Sequence, residues 1–168
     1  SYRWQYLRPL GSLQNAVTIL EERQVDEIAI IRYCRGDQDN YSFESDLKLI
    51  SNLDCITPLS FGGGIRDSKS LKYLHQLPIE RILLSSAYVE KNISLVEEAI
   101  GMFGKQALIA VLPYRIKNDT IEYYHCRSQK FGNCDLDFIN SFSNEVMFYN
   151  TDQEGLAFLD YPDIRQLL

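Results

Sequence analysis

No stretch of this chain of 168 residues approaches the roughly 20 consecutive apolar residues that span a bilayer, and none has the apolar centre of a signal peptide. Basic charge is also in short supply. Lys and Arg number 17 against 23 Asp and Glu, a net charge of −6, which argues against general binding to nucleic acid or to anionic membrane surfaces. Histidine is limited to His75 and His125, and the four cysteines (Cys34, Cys55, Cys126, Cys134) never fall in C-x-x-C spacing. That removes the usual zinc sites, so no metal and no cofactor is expected, and the thiols read as reduced, partly buried groups of a cytoplasmic protein. The first residue is Ser1 rather than Met, as a processed, trimmed or partial chain would have.

What is present is an ordinary globular composition, 45% hydrophobic and 24% charged, in a length suited to one domain over residues 1–168. The stretch Pro58-Leu59-Ser60-Phe61-Gly62-Gly63-Gly64-Ile65-Arg66-Asp67-Ser68 organises the rest. A short apolar run ends in three glycines, and Asp67 or Ser68 then opens an amphipathic segment. Three glycines together mark a turn that larger side chains would obstruct. Between a strand and a helix, such a turn either brings backbone N–H groups to an anion such as phosphate or is a tight connection with no ligand.

Elsewhere the chain alternates. Ser1 to Leu10 is an aromatic, basic loop, and Ser12 caps a helix with Leu13, Ala16, Val17, Ile19 and Leu20 at helical spacing. Glu27 to Ile31 reads as a strand covered on both faces, and a helix follows near Ser45 to Leu53. The strand Thr57 to Phe61 precedes the glycine turn, and a helix runs from Ser68 to Leu77. Next come a strand over Arg81 to Leu84, a helix from a capping box of Ser94 with Glu97, and a strand from Ala107 to Leu112 stopped by Pro113. Asn118-Asp119, flanked by Arg115-Ile116-Lys117 and Thr120 to Tyr123, suggests an inserted hairpin. Asp135 caps a short helix, Glu145 to Tyr149 is a strand, and Pro162 begins a last helix. Five strands with helical crossovers mean a parallel sheet with outer helices, either doubly wound or a (β/α) barrel.

In such folds ligands bind at the carboxyl ends of the strands. Those ends carry Arg32 to Arg35, Gly62 to Gly64, Ser85-Ser86, Pro113-Tyr114 and Asn150 to Gly155. Glycine N–H groups beside two hydroxyls make a phosphate cradle, to which Asp152 and Glu154 add carboxylates at the rim. The plainer alternatives are helix entry at the serines and a solvated loop at the acids. At the opposite ends, Glu27, Arg81 and Glu145 open alternate strands, which in a barrel send side chains into one interior layer. They form either a charged ring in the mouth or the exposed charges common at strand starts.

Val25-Asp26-Glu27-Ile28, Pro58 to Ile65, Ser85-Ser86-Ala87, Phe103 to Ala107 and Thr151-Asp152-Gln153-Glu154-Gly155 occur in that order. The whole resembles the cyclase subunit of imidazole glycerol phosphate synthase, a (β/α)₈ barrel of histidine biosynthesis. The resemblance implies a partial barrel of about five parallel strands, beginning after the first strand and stopping in the sixth helix. It implies a phosphate site at Gly62, Gly63, Gly64, Ser85 and Ser86, where the family more often has asparagine and threonine for the serines, with Asp152 and Gly155 in the acidic-glycine loop. It implies an ammonia gate at Glu27, Arg81 (lysine is usual) and Glu145, served by a glutaminase partner in a heterodimer that acts on a phosphosugar-type substrate.

The departures concern catalysis. The family cyclises with two aspartates, one on the first strand and one where this chain has Pro113, and its acids after the second strand are replaced by Arg32 and Cys34. Proline cannot exchange a proton, and Asp119 belongs to the hairpin. The catalytic residues are therefore unassigned, and three roles stand side by side. The protein is a histidine-pathway cyclase and lyase, or a paralogue that docks a glutaminase and channels ammonia to another enzyme, for example in surface-polysaccharide biosynthesis. The third role is a degenerate barrel that only binds phosphate or acts as a scaffold.

Overall fold

The first helix begins where the Ser12 hydroxyl accepts a hydrogen bond from the Asn15 N–H at 3.2 Å, satisfying one of the donors that every helix start leaves unpaired. The computed structural model describes residues 11–32 and 40–153, with 40–42 described by backbone alone. The expected loop over Ser1 to Leu10, Cys34, Glu154, Gly155 and the expected helix from Pro162 lie outside these residues. The elements are α1 (Leu13–Glu22), β1 (Ile28–Ile31), α2 (Asn40–Ser51), β2 (Leu59–Gly62), α3 (Ser68–Leu74), β3 (Arg81–Leu84), α4 (Ser86–Val89), α5 (Ile93–Phe103), β4 (Leu108–Lys117), β5 (Thr120–His125), β6 (Lys130–Gly132), α6 (Leu136–Phe142) and β7 (Glu145–Asn150).

Strands β1, β2, β3, β4 and β7 are parallel and follow one another in sequence order across a curled sheet, a partial barrel with helices outside. Strands β5 and β6 extend it antiparallel from the far end of β4. The hairpin expected at Asn118-Asp119 is present. Both residues have positive φ, 51° and 57°, as a two-residue turn matched to the strand twist demands.

Alternation sets the two faces. Ile82, Leu84, Leu108, Ala110 and Leu112 point outward into the main core with Leu71, Leu74 and Val96, while Ile28 and Leu59 pack on Val17 of α1. The intervening residues face the lumen. A leucine such as Leu71, at 0% exposure, contributes on the order of 2 kcal/mol by burial.

Three local expectations are corrected. The helix before Phe103 is capped by Asn92, whose side chain accepts from Leu95 N–H, so the Ser94 and Glu97 capping box is not used. Helix α2 begins at Asn40, well before Ser45. Strand β4 runs through Pro113 to Lys117 rather than stopping there. Pro113 sits where β3 has already ended, opposite Ala110, and β5 begins pairing only at Tyr114. Pro113 thus falls between the end of one ladder and the start of the next on that side, where a missing N–H breaks no ladder hydrogen bond of the paired registers.

Asp67 fixes the entry to α3. Its carboxylate accepts from Ser70 N–H at 2.8 Å and Ser70 Oγ at 2.7 Å, and the backbone N–H bond in particular holds its pKa below the ordinary value. A carboxyl with a depressed folded pKa stabilises above its unfolded pKa and loses that contribution as pH falls through the folded value. Replacing Asp67 with alanine should cost about 0.5–2 kcal/mol at neutral pH. Urea unfolding should show the gap between variant and wild type narrowing as pH drops below about 4; a gap that stays constant to lower pH contradicts the capping role.

Candidate functional site

One lumen-facing layer joins two chemically different ends. Glu27 immediately precedes β1, Arg81 begins β3 and Glu145 begins β7, so all three lie at the amino-terminal mouth. Arg81 Nη1 donates to Glu27 Oε2 at 2.8 Å, and Nη2 donates to Glu145 Oε2. The strand starts thus meet as one paired cluster. Glu27 and Arg81 are 30% and 25% exposed, Glu145 55%. Burial alone would lower the Arg81 pKa, and hydrogen bonds to Glu145 and Glu27 outweigh it and hold the guanidinium above its usual value. Glu27 Oε1 is buried and has no donor among the described residues.

Above this cluster the layer turns apolar. Ala29, Leu83, Ile109 and Met147 share the lumen face, with Ser60 the buried hydroxyl among them. Four residue steps carry the chain from Glu27 to Ile31, about 13 Å of rise.

At the carboxyl end the lumen opens into a cavity of about 320 Å³. Its floor is the glycine turn. Gly63 and Gly64 have φ of +100° and +81°, and a Cβ on Gly63 would lie 2.0 Å from the Arg32 carbonyl oxygen. A Cβ on Gly62 would meet that of Leu83 at 2.7 Å, so β2 and β3 approach too closely for a larger residue. Ser85 and Ser86 line the same cavity with Arg66 and Tyr149. The Ser85 hydroxyl oxygen is shut off from solvent and has no hydrogen-bond partner among the described residues.

The structure therefore gathers Gly62, Gly63, Gly64, Ser85 and Ser86 in one wall. It does not gather Asp152, which sits exposed in the turn after β7 with its N–H bonded to Asn150 Oδ1 at 3.0 Å. Pro113 faces the cavity, and no described lining residue is a carboxylate. Arg32 lines it too, but its guanidinium is held to Asp46 at 2.6 Å and over the Phe43 ring. No group of three or more His, Cys, Asp or Glu among the described residues is placed to hold a metal ion, and Cys55, Cys126 and Cys134 are free thiols. No helix of the described residues is long and apolar enough to cross a membrane. Sequence reading missed Cys126, Met147 and Tyr149 as cavity residues.

The sequence profile of the histidine biosynthesis protein family matches residues 15–142. The chain is 28% identical over 113 residues to a protein of Leptospira borgpetersenii provisionally named imidazole glycerol phosphate synthase subunit HisF, covering 64% of this chain and 42% of that one. A Campylobacter jejuni protein provisionally named subunit hisF2 is 24% identical over 160 residues, 94% of this chain and 63% of its own length. A 1-(5-phosphoribosyl)-5-((5-phosphoribosylamino)methylideneamino) imidazole-4-carboxamide isomerase of Methanocella arvoryzae is 31% identical over 122 residues, 72% of this chain and 49% of the isomerase. The chain thus spans about half the length of such relatives, from 42% to 63%. It belongs to the histidine biosynthesis protein family.

Gly63→Ala tests the floor directly. Placing a side chain at φ +100° against the Arg32 carbonyl should destabilise the protein by at least about 1–3 kcal/mol. Thermal melting should show the loss, and a wild-type melting point would mean that the turn relaxes without cost.

Proposed function

We propose that this chain belongs to the ammonia-accepting subunit of an imidazole glycerol phosphate synthase-type enzyme. In this reading a glutaminase partner covers the mouth at Glu27, Arg81 and Glu145. Ammonia then travels up the lumen to a phosphorylated substrate held by Gly62 to Gly64, Ser85 and Ser86. The names of the relatives, all phosphate synthase subunits or a phosphoribosyl isomerase, support a phosphorylated ligand.

The observation that carries the reading is the pairing of Arg81 with two carboxylates at the foot of the face whose top is the cavity. One guanidinium and two carboxylates leave a net −1, which attracts ammonium at the entrance. Glu27 Oε1, with no protein donor among the described residues, has lone pairs for an incoming N–H. Beyond it the apolar stretch disfavours an unpaired cation by several kcal/mol, so neutral ammonia is the species suited to pass. At the top, a phosphate takes backbone N–H groups of the glycine turn and the orphaned Ser85 hydroxyl, with the Arg66 charge nearby.

Pro113 favours a second reading of the chemistry. Where acid–base cyclisation needs a carboxylate, the cavity presents a pyrrolidine ring, so the delivered ammonia goes to another acceptor or another enzyme.

The full-length protein with a matching glutaminase tests both parts. Arg81→Glu should weaken complex formation at least about tenfold, as it sets three like charges together in a cluster that the partner would cover. Gly64→Val should abolish calorimetric binding of inorganic phosphate. Unchanged affinity in both variants defeats the proposal. Turnover of the phosphoribulosyl substrate with ammonium salts separates the two readings, since robust cyclisation restores the ordinary cyclase and its absence supports redirected delivery.

A further inference from the structure

The hairpin after β4 returns to the cavity. Tyr123 of β5 lies opposite Tyr114 of β4, and the antiparallel run continues to His125, so Cys126 comes back to the carboxyl ends of the strands. There β3 has already ended, with Leu84 opposite Ala110, and the hairpin occupies the space above Ser85. It is fastened in place. Glu90, the residue after α4, accepts the Arg127 N–H at 2.9 Å and pairs with Arg127 Nε at 3.4 Å.

Cys126 consequently lines the same cavity as Gly64, Ser85 and Ser86. Burial raises the Cys126 thiol pKa and the neighbouring Ser85 hydroxyl acts against that rise, while Ser85 Oγ is buried with no hydrogen-bond partner among the described residues. Leaving a buried hydroxyl unpaired is unfavourable, a cost that an acceptor arriving in the cavity relieves. Two side-chain charges act on Cys126, first the Glu90 carboxylate, which is itself paired with Arg127, and then Arg66 on the same wall.

From this arrangement we propose that the hairpin insertion is one wall of the anion site and that Cys126 is a specificity-determining residue there. It lies against the phosphate group to which the Ser85 hydroxyl, turned into the cavity, donates. This rests on the phosphate reading of the cavity given above. The thiol suits the place because burial raises its pKa above the ordinary value, so it stays neutral at physiological pH and sets no negative charge beside the anion. It is also short enough to leave the cavity open.

The test uses the full-length protein at fixed pH. Alkylation of each cysteine by iodoacetamide is followed by mass spectrometry, with and without saturating inorganic phosphate or ribose 5-phosphate, while calorimetry measures binding of the same two anions. Cys126 should be alkylated at least about tenfold more slowly with either anion bound, with Cys55 and Cys134 unchanged. If the anions bind by calorimetry and the Cys126 rate does not move, the hairpin is no part of the site, although the cradle survives. If neither anion binds, the cradle reading fails and this proposal with it. Cys126→Asp and Cys126→Asn, nearly equal in size, provide the second arm. Aspartate should raise the phosphate Kd at least about tenfold and asparagine by no more than about threefold; equal changes in the two variants contradict the role assigned to Cys126.

Discussion

Successive residues of a strand point to opposite faces, and this constraint decides where every functional group of the protein ends up. Five short parallel strands keep one register, so their outward residues, such as Ile82 and Leu108, are consumed by packing against helices. The inward residues are then free to differ in chemistry from one end of the lumen to the other. Glu27, Arg81 and Glu145 fall in one layer because each sits at or just before the start of every second strand in the sheet. The glycine turn and Ser85 fall together at the other end because β2 and β3 are neighbours. A slip of one residue in β3 would turn Arg81 into the helix layer and Ile82 into the mouth, undoing both packing and pairing.

The two ends place opposite demands on solvation. At the mouth, a guanidinium held by two carboxylates satisfies most of its charge within the cluster, and only Glu27 Oε1 remains without a donor among the described residues. At the cavity, the polarity is reversed. Backbone N–H groups, hydroxyls and Arg66 line it with no carboxylate among the described lining residues, the polarity that the proposed anion site requires. The apolar layer between them keeps the two fields apart.

Much of the fold was legible because hydrophobic period and turn chemistry agree along the chain. The strands at Ile28, Leu59, Arg81 and Glu145 begin within two residues of their expected starts, and Asp135 caps α6 as its position suggests. The misses have physical reasons. Asn92 and Ser94 both offer a cap, and tertiary placement of α4 just before them decides for Asn92. Pro113 reads locally as a strand end, but the missing donor is harmless where β3 has stopped. Of the site, type and spacing single out the glycine turn, the serines and the charged triad but leave plainer readings open, and only the family resemblance assigns them roles. Cys126 does not, because its place depends on how far an antiparallel hairpin carries the chain back, a matter of register rather than of motif. Asp152 was expected at the rim for its charge, and the Asn150 side chain instead holds its backbone in an exposed turn.

Hydrogen exchange followed by mass spectrometry on the full-length protein tests the two-ended lumen most directly, with inorganic phosphate and a matching glutaminase added separately. Phosphate should slow exchange in residues 62–66 and 84–87 and leave the strand starts unaffected. The glutaminase should protect residues 25–28, 79–82 and 143–146 and leave the glycine turn unaffected. Protection of the same end by both additions, or of the opposite ends from those assigned, would contradict the account.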